Sequence, residues 1–177
     1  MIKLIIGPMF SSKSLMLEIQ IERTLIAKKK PVLLRPELDK RTFISRRSTK
    51  SFTYNIIKLN DDKNIENIFK EYDTICIDEF QFFKDKIVKE IIKNCIKYNK
   101  KKIFIAGLNA SSEQETFNNI SQLIPYVDDI QILKAICVKC GEEAIITKYK
   151  NNKKDQIKLD DGNYQPICLN CLSLENK

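Results

Sequence analysis

Eight residues near the N-terminus, Gly7-Pro8-Met9-Phe10-Ser11-Ser12-Lys13-Ser14, constrain this chain more than any other feature. They follow a short apolar run, Leu4–Ile6, that reads as a strand. They also open a helix expected over about Lys13–Lys29, with Pro31 as its stop. Strand, tight loop and helix in that order is the setting in which a phosphate-binding loop of pattern GxxxxGK[ST] works. Backbone N–H groups of such a turn, and of the helix start, point at the phosphates. Lys13 would bring positive charge to the β/γ region, and the Ser14 hydroxyl can ligate Mg²⁺. The pattern is broken once: Ser12 stands where the second glycine belongs, which carries a penalty if that position needs a positive φ. Taken alone, the loop also fits an ordinary strand–turn–helix.

Further short apolar runs, Val32–Leu34, Ile75–Ile77 and Ile103–Ala106, read as strands, the last followed by Gly107. Between the last two lies an amphipathic helix, with Ile87, Val88, Ile91, Ile92, Cys95 and Ile96 on one face and Lys86, Lys89, Lys93 and Lys97 on the other. Strands alternating with helices imply an α/β fold, a parallel sheet flanked by helices. Ile75–Ile77 ends in Asp78-Glu79, and the carboxyl ends of parallel strands are where ligand groups gather. Asp78 suits the second partner of a Mg²⁺ begun by Ser14, and Glu79 suits a base on an acceptor hydroxyl. A helix N-cap followed by a solvated acid is the plainer reading of the pair.

Composition bounds the rest. At 43% hydrophobic and 31% charged over 177 residues, the chain can bury a core and is neither disordered nor membrane-spanning. No basic, apolar and small-residue order marks a secretory signal, so a cytoplasmic protein is expected, in the host cytoplasm if the source is viral. The net charge of +8 invites a nucleic-acid reading, but Lys28–Lys30, Lys100–Lys102 and Asn151–Lys154 read as solvated turns, so nucleic acid is not the expected partner. With no histidine, carboxylates and thiolates must do the acid–base and metal work.

Cys137-x-x-Cys140 and Cys168-x-x-Cys171 form two knuckles separated by 27 residues. Four thiolates complete a tetrahedral Zn²⁺ shell, which makes the metal structural, and Gly141 suits the knuckle turn. Composition shifts near Ala135, giving a nucleotide-binding unit over 1–134 and a lobe over 135–177 that needs a metal staple. Cys76 and Cys95 read as buried small hydrophobes.

Ile5–Ser11 resembles the GPMFSGK[ST] loop of the zinc-containing thymidine kinases of cellular and poxvirus type. Ile77-Asp78-Glu79-Phe80-Gln81-Phe82-Phe83 resembles that family's IDExQFF segment. Arg35-Pro36, Asp39 and Arg41 are similar to its [KR]P…D.R stretch, Phe117–Pro125 to its PF…L.P run and Ala135–Cys140 to its AVCxxC segment. The resemblance implies a RecA-like phosphate-loop sheet with a small zinc lobe and lid, ATP as donor, thymidine as acceptor and Mg²⁺ as cofactor. It casts Glu79 as base, Lys13 and Arg41 as partners of the phosphates, and Asp78 with Ser14 as metal ligands. Met9, Phe82, Leu108, Thr147 and Tyr164 match the nucleoside pocket, with the lid around Ile157, Lys158, Leu159 and Asp160. It further implies a homotetramer and feedback inhibition by the triphosphate end product.

Departures accompany the matches. Besides Ser12, the family's LDGTF-like segment reads Leu108-Asn109-Ala110-Ser111-Ser112, so Ser112 replaces an aromatic expected to stack on the base. Losing one stacking face removes about 1–3 kcal/mol. A nucleoside kinase of altered base preference, or one without activity, therefore stays open. A zinc-ribbon, nucleic-acid-binding ATPase is the alternative from another class.

Overall fold

The strands expected from apolar runs are apolar on both faces, and a parallel sheet covered twice is what satisfies such strands. In the computed structural model, which describes residues 1–41, 53–150 and 161–175, six parallel strands form one sheet in the order β3-β2-β4-β5-β1-β6. They are β1 (Ile2–Gly7), β2 (Pro31–Pro36), β3 (Asn55–Leu59), β4 (Thr74–Ile77), β5 (Lys102–Leu108) and β6 (Asp129–Ile132). Helix α1 (Lys13–Ile26) covers one face; α2 (Ile65–Glu71), α3 (Asp85–Lys97) and α4 (Asn118–Leu123) cover the other.

Alternation along each strand divides the core accordingly. Ile5, Leu33, Cys76, Phe104 and Ala106 pack on Leu17 and Ile21 of α1. Their neighbours Leu4, Leu34, Ile75, Ile77, Ile103 and Ile105 pack on Phe69, Val88, Ile91 and Cys95. Cys76 and Cys95 are fully buried, as small hydrophobes are. Strand β5 lies between β1 and β4, so the carboxyl ends of β1 and β4 flank a single strand. That spacing brings the loop after β1 and the acids after β4 to the same edge of the sheet.

Two expectations need correction. Helix α1 ends at Ile26, not Lys29, because Lys28 turns left-handed (φ 57°). Its N–H bonds Leu25 O at 2.9 Å, and the Lys29 N–H bonds Thr24 O at 3.1 Å. This pair closes the helix before Pro31, which instead opens β2. Ile96, expected on the apolar face of α3, is 47% exposed, since the buried stripe ends at Cys95.

After β6 the chain builds a small lobe from β7 (Ala135–Ile136), β8 (Glu143–Ala144), β9 (Ile146–Tyr149), β10 (Tyr164–Ile167) and α5 (Leu169–Glu175). Among the described residues its buried apolar cluster is Cys137, Ala144, Ile167 and Cys168, too small to hold a fold alone. No helix among the described residues is long and apolar enough to cross a membrane.

Candidate active site

The loop after β1 is tight at both ends. A Cβ on Gly7 would lie 2.4 Å from Leu133 O and 2.7 Å from Ser11 Oγ, so only glycine fits. Phe10 and Ser12 both sit at φ 66°, in the left-handed region, and Ser12 is the residue in front of α1. The missing glycine therefore falls where its freedom is used. Ser11 Oγ donates to Pro8 O at 2.8 Å. Lys13 Nζ folds into the same turn, donating to Pro8 O at 2.6 Å and to Ser11 Oγ at 3.4 Å. Burial pulls the Lys13 ammonium down to about 8, against the opposing pull of the Glu79 and Asp78 charges.

Ser14 Oγ donates to Asp78 Oδ2 at 3.0 Å, joining the start of α1 to the end of β4. Asp78 is 1% exposed, and burial together with the neighbouring Glu79 charge pushes its carboxyl above the usual range, against Arg41 and Arg35. Its Oδ1 accepts the Glu79 N–H at 3.0 Å, so it does not cap a helix. Glu79 takes a left-handed backbone (φ 52°) and leads into a 3-10 turn, Phe80–Phe82. Its carboxylate is held from two sides: Arg41 Nη2 donates to Oε1 at 2.8 Å and Gln81 Nε2 to Oε2 at 2.7 Å.

Arg41 in turn grips Asp39 through Nε at 2.9 Å and Nη2 at 2.8 Å. Those contacts, with Glu79 and Asp78, raise the Arg41 pKa despite its burial. Arg35, fully buried, reaches Asp39 at 3.5 Å and Asp78 at 3.7 Å. Lys13, Arg35 and Arg41 thus balance Asp39, Asp78 and Glu79, three charges against three, which is how buried charge is tolerated. Arg35 and Asp39 were legible only as family-like positions. Gln81 was not expected to act, yet it also accepts the Leu108 N–H at 3.0 Å through Oε1. Asn119, equally unforeseen, donates to the carbonyls of Phe80, Gln81 and Phe83 at 3.2, 3.1 and 2.8 Å, fixing the turn after Glu79.

Of the residues expected around a nucleoside, Phe82, Leu108 and Ser112 lie at or after the carboxyl ends of β4 and β5. Phe82 is half-buried with Phe117 edge-on at 6.4 Å, and Leu108 ends β5. Ser112 is half-buried in the loop after β5. Ser111, not Ser112, organises that loop, its Oγ accepting the Glu113 and Glu115 N–H groups at 3.2 Å. Thr147, on β9, accepts the Met9 N–H at 2.9 Å, so the lobe touches the loop after β1 directly. Tyr164 packs edge-on to Tyr149 at 5.2 Å. Ile157, Lys158, Leu159 and Asp160 lie outside the described residues.

Cys137, Cys140, Cys168 and Cys171 bring their Sγ atoms within 4.8 Å of one another, and Cys140 and Cys168 approach to 3.6 Å. A tetrahedral Zn²⁺ with bonds of about 2.3 Å requires sulfur–sulfur edges of about 3.8 Å, so the cluster can hold that ion. Gly141 takes φ 79° in the knuckle turn, as expected. Each sulfur pair comes from a different end of the lobe, which the metal would staple.

A protein-family model described as thymidine kinase matches residues 1–172. The chain is 38% identical to a thymidine kinase of Amsacta moorei entomopoxvirus, covering 96% of each chain. It is 33% identical to the vaccinia virus (strain Ankara) enzyme of that name, over 96% of this chain and 95% of the other. A bacterial thymidine kinase, from Coprothermobacter proteolyticus, is 34% identical over 83% of this chain and 74% of its own. Among solved structures, Bacteroides Pif1 bound to ssDNA overlaps 72% of this chain and 33% of its own at 12% identity, with a TM-score of 0.33 too low to bear on function. Matched along nearly its whole length, the chain belongs to the thymidine kinase family.

Proposed function

We propose that this protein transfers the γ-phosphoryl group of ATP to the 5′-hydroxyl of thymidine, giving thymidine 5′-monophosphate and ADP. The observation that carries the proposal is the Glu79 carboxylate, held between Arg41 and Gln81 beside the loop that holds Lys13. Gly7–Ser14 cradle the triphosphate through backbone N–H groups, and Lys13 leaves Pro8 O to meet the β/γ oxygens. Ser14 and Asp78 would hold Mg²⁺: their oxygens lie 3.0 Å apart, and neighbouring oxygens around such an ion are about 2.9 Å apart. Bound there, the ion would neutralise charge that develops on the phosphates during transfer.

Glu79 takes the proton of the 5′-hydroxyl as its oxygen bonds to the γ-phosphorus and the bond to the β-phosphate oxygen breaks. Gln81 keeps one carboxylate oxygen fixed, so the other faces the hydroxyl once Arg41 turns to the phosphates. Positioning of this kind supplies most of the rate gain in phosphoryl transfer. Met9, Phe82, Leu108, Thr147 and Tyr164 surround the nucleoside, with Ser112 leaving one face of the base without an aromatic. Residues 1–134 form the nucleotide-binding unit and 135–177 the zinc-held lid unit, in a cytoplasmic homotetramer subject to feedback by thymidine triphosphate.

The test is a panel: purified protein, Mg²⁺ and ATP with thymidine, deoxyuridine, deoxycytidine or no nucleoside, followed by ADP release and product mass. Thymidine should give its 5′-monophosphate in step with ADP. ADP release independent of any nucleoside would refute the proposal.

A further inference from the structure

The lobe around the four cysteines meets the Gly7–Ser14 loop directly at Met9 and indirectly through Asn109. Strand β10 runs directly into Cys168, and the Val138 N–H donates to Pro166 O at 3.2 Å, tying the first knuckle to β10. Strand β10 pairs with β9, with Thr147 opposite Pro166. Thr147 is 4% exposed, and its hydroxyl accepts the N–H of Met9, third residue of the loop, at 2.9 Å. Two residues earlier, Ile145 O accepts Asn109 Nδ2 at 2.9 Å, and the Asn109 N–H reaches Gly7 O at 3.4 Å. Leu133, just ahead of the lobe, donates to Ile6 O at 2.8 Å and presents its carbonyl where a Gly7 side chain would be.

The loop these contacts grip has Phe10 and Ser12 in the left-handed region. Strained backbone of this kind persists only where its surroundings over-determine it. From these contacts we infer that the cysteine lobe props the phosphate loop, with Thr147 and Asn109 as positioning residues, so that ATP affinity depends on the metal-held lobe even with no nucleoside present. The inference rests on the reading of Gly7–Ser14 as the ATP site.

Calorimetric titration of ATP and Mg²⁺ into the full-length, zinc-loaded protein, without nucleoside, tests it. Thr147→Val, which keeps the shape and removes the hydroxyl, should weaken ATP binding roughly three- to tenfold, the effect of one lost hydrogen bond. Thr147→Ser, which restores the hydroxyl, should bind ATP like the wild type. Stripping the metal with a chelator should weaken ATP binding at least as much as Thr147→Val does. Asn109→Asp removes the donor to Ile145 O at constant shape and should weaken ATP binding in the same direction, which keeps the test available if Thr147→Val does not fold. Unchanged ATP affinity in the folded variants, with only thymidine affinity altered, would overturn the inference while leaving the kinase reading intact. A wild-type protein that binds no ATP would remove the kinase reading itself.

Discussion

Replacing Ser12 by glycine isolates the one departure in the Gly7–Ser14 loop that has a backbone explanation. Ser12 holds φ 66° and ψ 24°, its side chain makes no capping hydrogen bond, and the residue is exposed. The left-handed region costs an L-residue about 1–2 kcal/mol, and glycine escapes that penalty. Glycine also gives the unfolded chain more freedom, which takes back about 0.4–1 kcal/mol. The net is a stabilisation of about 0.5–1 kcal/mol, worth about 1–4 °C in melting temperature for a chain of this size. Calorimetric unfolding of the zinc-loaded protein measures it, with Ser12→Ala as the control that keeps the Cβ. Ser12→Gly should melt above the wild type and Ser12→Ala at or below it. Equal gains in both variants would refute the backbone reasoning, because alanine relieves no strain at that φ.

Other perturbations probe the charges. Burial lowers the Lys13 pKa to about 8, and a phosphate beside it would favour the charged form, so ATP binding at about pH 9 should take up protons and at about pH 7 almost none. Titration in two buffers of different ionisation enthalpy reads this out, and the uptake should vanish in Lys13→Met. Arg35→Met removes a fully buried partner of Asp39 and Asp78 and should destabilise the protein by about 3–5 kcal/mol, measured by urea unfolding. Asn119→Leu releases three carbonyls of the turn after Glu79 and should lower kcat more than it raises the thymidine KM; a pure stability loss with kcat intact would show that the turn needs no such clamp.

The central strands were legible because each is apolar on both faces, a pattern that only a doubly covered sheet satisfies. Strands β3 and β6 were not legible, for they lie at the two edges and carry exposed residues such as Asn55, Ile56, Asp129 and Ile132. The short helix α2 escaped for want of length, although Asn64 caps it by accepting the Asn67 N–H at 3.1 Å. Within the site, the loop, the acidic pair and the cysteines are local in sequence, and local patterns can be read. The contacts that hold them are not local: Thr147 to Met9, Asn119 to the Phe80–Phe83 carbonyls and Arg41 to Glu79 span 138, 36–39 and 38 positions. No spacing rule reaches that far. Even Ser12, visible at once as a missing glycine, acquired a physical meaning only when its φ placed it in the left-handed region.

The role of Glu79 is tested most directly by Glu79→Gln, which keeps the shape of the side chain and removes the carboxylate that would take the proton. ATP affinity by calorimetry and single-turnover formation of thymidine 5′-monophosphate should be measured on the same preparation. ATP binding should stay near that of the wild type, while phosphoryl transfer should fall by about 10²–10⁴-fold, the usual contribution of a positioned base. Transfer at close to the wild-type rate, with ATP still bound, would contradict the assignment of Glu79 as the base.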